Sequence, residues 1–190
     1  MTCPVRFSPR FPQRRHWPDA DRFLGTARLG QDHAEPPVAA ALGATWLRVD
    51  AVESALWRAG VDRAQPTGLA AYVVADALAD AHLAMAATVV VDAVNAVEQA
   101  RAGWRDLAAR HGTVMYAIEV ICADPAEHRR RVEQRRPEHD QAMQPSWEDV
   151  RTREFTPWRE PRLLVDTAAC DTPDLVSLIL RGIRAHGTPA

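Results

Sequence analysis

Gly25 and Gly30 frame the stretch Gly25-Thr-Ala-Arg-Leu-Gly30-Gln31-Asp32-His33, and their spacing is that of the glycines in G-x-x-x-x-G-K-[ST]. In that pattern the glycines let successive backbone N–H groups wrap a phosphate, the Lys reaches the β/γ-phosphates and the Ser/Thr hydroxyl binds Mg²⁺. Here Gln31 stands for the Lys and Asp32 for the hydroxyl. A neutral amide cannot neutralise phosphate charge, and a carboxylate opposes it unless a metal intervenes. The chain contains no lysine, so all 23 of its basic side chains are arginines. Two further acids, Asp50 and Asp92, each close a run of β-forming residues, Thr45–Asp50 and Thr88–Asp92. Carboxylates at such positions can orient a metal ion or accept a proton.

The elements that must position these groups are legible from periodicity. Pro37–Gly43 reads as a small-residue helix ending at a glycine, and Ala51–Ala59 has helical spacing with Val52, Leu56 and Ala59 on one face. Gln65-Pro-Thr-Gly68 is turn chemistry before a long Ala-rich helix, Leu69–Ala86. Thr88-Val-Val-Val-Asp92 has the continuous β-branched run of a strand buried on both faces. A helix over Val97–His111, a strand over Val114–Cys122 and a helix from Asp124-Pro125 to Arg136 follow. Ser146 and Asp149 form a capping box for Trp147–Glu154. Leu163–Asp166 is a last strand, and Pro173–His186 a closing amphipathic helix. Strands alternating with helices predict an α/β fold, a parallel sheet covered on both faces, with ligands bound beyond the carboxyl ends of the strands.

Composition bounds the function. With 190 residues, 47% hydrophobic and 25% charged, the chain reads as one globular domain with a real core. A net charge of −2 argues against a protein-wide nucleic-acid surface. Cys3, Cys122 and Cys170 have neither metal-ligand nor disulfide spacing, and no apolar run approaches a membrane span, so a cytoplasmic setting is expected. The Arg/Pro-rich residues 1–22 read as a disordered or mistranslated tail ahead of a domain over 23–190.

Three features carry a resemblance. They are the strand ending Arg48-Val-Asp50, the strand Val89-Val-Val-Asp92 followed by Asn95, and the segment Cys122-Ala-Asp-Pro-Ala-Glu-His-Arg-Arg-Arg131-Val-Glu-Gln-Arg135. With them the chain resembles, from about Phe23 to Ala169, the P-loop kinase-like family of AAA-type small-molecule kinases. That grouping includes gluconate kinase, adenylylsulfate kinase, chloramphenicol phosphotransferase and zeta-toxin-like kinases. The resemblance implies a three-layer sandwich around a mainly parallel sheet, with a lid over about 124–145. It implies ATP-dependent phosphoryl transfer to a hydroxyl of a small molecule, with ATP and Mg²⁺ as cofactors. Asp50 would accept the proton of the attacking hydroxyl or hold the acceptor in line, and Asp92 would orient Mg²⁺ through water. Arg131 and Arg135, four apart on one helix face, would stabilise the transferred phosphoryl group. Gly25 and Gly30 would belong to the nucleotide loop, and Asn95 and Glu53 would face the acceptor.

Structural readings stand beside these. An acid that ends a strand often caps the next helix. The arginines between Arg129 and Arg136 can equally form a solvated face paired with Glu127 and Glu133. Taken literally, the absent Lys also fits a non-catalytic relative, a pseudokinase or binding module.

The genetic code offers an account of the altered loop. The codons GGA-CTG-CCC-GGC-TCG-GGC-AAG-ACC-ACG encode Gly-Leu-Pro-Gly-Ser-Gly-Lys-Thr-Thr, a full phosphate-binding loop. Read one nucleotide out of register, with suitable flanking bases, the same DNA gives the residues Gly25–His33. On this reading residues 1 to about 36 are an out-of-frame translation and the frame resumes near Pro37. The printed chain then lacks a proper first strand, leaving apolar edges around Val90 and Ile118 undercovered and the protein prone to aggregation. Sequencing the gene over codons 20 to 40 should show Gly-Ser-Gly-Lys-Thr in the neighbouring frame; any other content there ends the idea.

Overall fold

The structure, a computed structural model, describes residues 5–7, 23–28, 35–134, 145–169 and 172–187. Six strands form one sheet. In chain order they are β1 (Val5–Phe7), β2 (Phe23–Arg28), β3 (Thr45–Arg48), β4 (Val89–Ala93), β5 (Met115–Ile121) and β6 (Leu163–Asp166). The helices are α1 (Glu35–Leu42), α2 (Val49–Arg58), α3 (Thr67–Ala84), α4 (Glu98–Arg110), α5 (Pro125–Glu133), α6 (Trp147–Thr152) and α7 (Thr172–Gly187). Across the sheet the order is β1-β6-β5-β2-β4-β3, parallel throughout except for the antiparallel edge pair β1–β6. This is the three-layer α/β sandwich with a mainly parallel sheet that the helix–strand alternation requires.

Strand β4 shows why the sheet has two covered faces. All five of its residues are buried. Val89, Val91 and Ala93 point into a core shared with α2, α3 and α4, while Val90 points into the opposite core with Ile118, Val38 of α1 and Leu175, Ile179 and Ile183 of α7. The period-2 alternation of a strand thus distributes one valine run between two cores. On α3, Ala71, Ala75 and Ala79 are completely buried and Leu83 nearly so, a stripe at four-residue spacing that lets the helix lie close on the sheet.

From α1 onward the helices and strands fall within three residues of their sequence-predicted ends. One difference matters for the site. The strand expected to run to Asp50 stops at Arg48, and Asp50 sits in the first turn of α2. Val49, the first residue of α2, is 4% exposed and packs in the core of α2, α3 and β4. At α5 the expected cap is present: Asp124 accepts N–H bonds from Ala126 (2.9 Å) and Glu127 (3.2 Å), with Pro125 in the first turn. The Ser146–Asp149 capping box opens α6.

Two described segments precede α1. Val5–Phe7 of the supposed tail pair with β6 as an edge strand, in register Val5 with Val165 and Phe7 with Leu163. Phe23–Arg28 fill the centre of the sheet between β4 and β5. Val90 and Ile118, expected to be undercovered, are essentially inaccessible. Parallel pairing uses main-chain groups that every residue but Pro possesses, so a stretch lacking a strand-like pattern still satisfies the ladder.

The loop between β4 and α4 is held by one buried cation. Arg101 is 1% exposed and donates to the carbonyls of Asn95 (2.8 Å), Ala96 (3.3 Å) and Thr156 (2.5 Å). Its guanidinium also lies 4.2 Å from the ring centre of Trp158 and 5.2 Å from that of Phe155. Burial lowers the pKa of Arg101 from its usual value. Replacing Arg101 with Ala should cost about 3 kcal/mol, since several charge-assisted bonds are lost and their carbonyls stay buried. Arg101→Lys should recover little, because an ammonium cannot reproduce the planar fork. Urea unfolding midpoints would check both, and a loss below about 1 kcal/mol for the Ala variant would refute the clamp.

Candidate functional site

The carboxyl ends of β3 and β4 meet where a parallel α/β sheet places its ligand. Asp92, one residue before the end of β4, is 4% exposed, and its Oδ2 lies 3.8 Å from Nε of Arg48. Arg48 ends β3 in register with Asp92, and its guanidinium lies 5.2 Å from the ring centre of Trp46. Thr26 of β2 is the register partner of Asp92 on the other side. Asp92 therefore stands beside the central strand, at the height where a nucleotide loop would follow.

Beyond these strands a cleft of about 670 Å³ opens between α2, α3 and α4. Asp50 and Glu53 line it from α2, Leu69, Tyr72 and Val73 from α3, and Trp104 from α4. Asp50 comes from the turn of α2 directly after β3, a position that suits an acid near the helix macrodipole. Glu53 is held in place: Thr67 Oγ1 donates to its Oε1 at 2.8 Å, and Trp57 Nε1 donates to Thr67 Oγ1 at 3.0 Å. Gly68 abuts the same carboxylate, since a Cβ there would meet Glu53 Oε1 at 3.5 Å.

Asn95 anchors the cleft rather than reaching into it. It has a φ of +50°, in the left-handed region that asparagine tolerates, and is 1% exposed. Its N–H donates to the Tyr72 hydroxyl (2.9 Å), its Oδ1 accepts from Trp104 Nε1 (2.8 Å) and its carbonyl accepts from Arg101. Tyr72 and Trp104 are thereby oriented with ring centres 6.0 Å apart. Burial pushes the Tyr72 hydroxyl above its usual pKa, with Asp50 and Asp92 adding to the shift and the Asn95 bond and Arg153 opposing it.

The remaining sequence-predicted residues fall elsewhere. Gly25 lies inside β2, paired with Val91 on one side and Ala117 on the other, three residues short of the strand's end. Its main chain is taken up by this ladder. Gly30 and Arg135 lie outside the described residues. Arg131 is engaged on the other side of the molecule's ligand-binding edge. It donates to Glu127 Oε1 (2.6 Å) and, through its two terminal nitrogens, to the hydroxyl and carbonyl of Thr167, each at 3.1 Å. Thr167 is fully buried and donates to the Ile121 carbonyl at the end of β5. Bonds first from Arg130 and then from Arg131 hold the Glu127 carboxyl down to about 2. Arg129 pairs with Glu133 in the manner of a solvated face.

Tyr72, Arg101 and Arg153 were not found from sequence. Arg153 lines the cleft from beyond α6. Tyr72 and Arg101 sit in ordinary helical patterns, and only the fold turns them toward Asn95. Among the described residues no group of three or more His, Cys, Asp or Glu is arranged to hold a metal ion. Mg²⁺ keeps several waters and takes one or two carboxylates, a demand that Asp92 alone can meet. No described helix is long and apolar enough to cross a membrane.

A family model described as AAA domain matches residues 31–154. No curated protein is detectably similar. Among solved structures, a candidate kinase from Chloroflexus aurantiacus J-10-fl superposes with a TM-score of 0.67 at 16% identity, over 90% of this chain and 100% of that one. A gluconokinase from Sinorhizobium meliloti 1021 gives 0.62 at 13%, over 87% and 93%. The Mycobacterium tuberculosis APS kinase CysC, in complex with AMPPNP and APS, gives 0.62 at 13%, over 88% and 99%. The family match spans about two thirds of the chain, begins beyond Gly30 and includes Asp50, Asp92 and Arg131. With a family model matching well over half of its length, the chain belongs to the AAA domain family, and it shares its fold with these solved structures.

Proposed function

We propose that the chain carries the scaffold of an ATP-dependent phosphotransferase acting on a hydroxyl of a small molecule, impaired in this exact chain by the loss of the loop lysine. The observation that carries this reading is the cleft beyond β3 and β4, which brings Asp50 to an apolar pocket on the side of the sheet away from Arg131. Phosphoryl transfer asks a protein for positioning and charge neutralisation more than for covalent chemistry.

In this reading the acceptor's hydroxyl oxygen attacks the γ-phosphorus, the bond from that phosphorus to the bridging oxygen breaks, and the hydroxyl proton passes to the Asp50 carboxylate. Mg²⁺, when bound, neutralises phosphate charge. Asp92 would hold that ion through water, with Nε of Arg48 3.8 Å from its carboxylate. Arg131 reaches the phosphoryl group by exchanging its bonds to Glu127 and Thr167 for bonds to phosphate, and Arg135 serves the same group. Gly30 belongs to the nucleotide loop, with Gly25 supplying the strand before it. The APS kinase and Kti12 neighbours were solved with AMPPNP and with ADP-AlF3, which supports nucleotide binding by this fold.

A specific observation favours a second reading, a non-catalytic relative. The chain has no lysine, and Gly25 is committed to β2. Calorimetric titration with Mg·ATP separates the two. The chain as written should bind weakly or not at all, whereas a version whose residues 25–33 read Gly-Leu-Pro-Gly-Ser-Gly-Lys-Thr-Thr should bind and turn over. In that version Asp50→Asn should lower kcat by about 10²–10⁴ with the KM for ATP unchanged. Tight Mg·ATP binding by the chain as written would contradict the proposal, and an inert loop-restored version would leave the non-catalytic relative standing.

A further inference from the structure

The outer side of α3 is apolar from end to end. Eight of the helix's residues are exposed, and every one is Leu, Val or Ala. A helix at a protein surface ordinarily turns polar and charged side chains to water, as α4 does with Gln99, Asp106 and Arg110. The charged side chains of α3, Asp76 and Asp80, are instead half-buried at its margin. A helix that is apolar on its outer side as well as its inner one is ordinarily covered on both.

The face has a definite shape. Leu69 and Val73, 67% and 61% exposed, form one ridge; Val74 and Leu78, continued by Met85 at the helix's end, form another. Ala70, Ala77, Ala81 and Ala84 fall between the ridges, at spacings of seven, four and three residues that keep to one line of a helix. Side chains this small let a second helix approach to about 8 Å between axes.

Charge narrows what covers this face. Arg110 Nη2 stands 3.6 Å from both Asp76 and Asp80, and His111 Nε2 lies 2.9 Å from Asp80 Oδ1, so the carboxylates beside the ridge are answered within the chain. The cover is therefore asked for no opposite charge. A lipid surface fits poorly, because helices that lie on membranes carry Lys and Arg along their polar side, and α3 has neither. A second α3 brings the same alanine groove, the same ridges and the same internally answered charges. Size agrees with this: 18 residues make a helix about 27 Å long, and a face about 10 Å wide along it outlines about 300 Å². That matches the largest apolar patch of a typical monomer, and a two-fold contact uses it twice. The resulting area stands at the small end of specific interfaces, the range of dimers that dissociate at micromolar concentration.

We propose that the outer face of α3 is the interface of a two-fold homodimer, in which the α3 helices of two copies pack on one another over Ala77 and Ala81. Leu69 and Val73 also line the cleft, so the second copy lies beside its mouth. The dimer follows from this face alone and holds whether or not the chain transfers phosphate.

Sedimentation velocity on the full chain tests it. Between about 1 and 200 µM the mass should rise from 21.0 kDa toward twice that value and stop there, because a two-fold contact closes on itself. Ala77→Arg sets two cations against each other near the middle of the contact, from an exposed position that does not line the cleft, and should weaken the dimer about tenfold or more. Its thermal unfolding midpoint, measured where the parent chain is a monomer, should be unchanged, since arginine is a good helix former. Ala81→Arg, also exposed and outside the cleft, should act in the same direction and covers the case in which Ala77→Arg folds poorly. A monomer throughout the range, whether or not it binds phosphatidylcholine vesicles, would overturn the proposal. So would growth beyond a dimer, or a dimer untouched by both substitutions.

Discussion

Everything in this molecule depends on the slot between β4 and β5. Both strands are buried on both faces, and their inner edges carry N–H and C=O groups that need partners away from water. A strand must lie there, and β2 supplies it with five register pairs to β4 and six to β5. The ladder reads main chain, so Phe23–Arg28 can occupy the slot although their side chains follow no buried-strand pattern. Phosphate chemistry reads side chains, and the same segment leaves Gln31 and Asp32 where Lys and a hydroxyl are needed. Fold and phosphate binding thus make different demands on one stretch.

A second constraint shapes the acceptor side. Asn95 in a left-handed conformation binds three elements at once: Tyr72 of α3, Trp104 of α4 and, through its carbonyl, Arg101. Arg101 then ties the same loop to the 155–158 segment through the Thr156 carbonyl and the Phe155 and Trp158 rings. Buried polar networks of this kind specify a single arrangement when their members are satisfied. The arrangement here is the back wall of the cleft. The site therefore inherits its shape from buried groups that never touch a ligand.

On the far side, α5 holds Arg131 in a network. Arg131 bridges Glu127, on its own helix, and Thr167 at the end of β6, whose hydroxyl is tied to the end of β5. Glu127 serves Arg130 as well, and the two cations together hold its carboxyl near 2. Removing Arg131 from this cluster leaves Glu127 partnered by Arg130.

The sequence by itself determined the layered α/β fold, because the valine run of β4, the Asp124-Pro125 and Ser146–Asp149 caps and the strand–helix alternation are local signals that tertiary contacts had no reason to override. It also marked Asp92, whose place at the end of a buried strand follows from its own neighbours. Tertiary structure decided what local pattern cannot express. The chain leaves the sheet after Arg48, which puts Asp50 in a helix turn rather than at a strand end, and main-chain pairing holds Gly25 in the sheet. Tyr72, Asn95 and Arg101 lie 23 and 6 residues apart in sequence along their hydrogen bonds and meet only when α3, the β4–α4 loop and α4 converge. Periodicity reports which face of an element is buried; which side chains share the space beneath it is set by the packing of elements against one another.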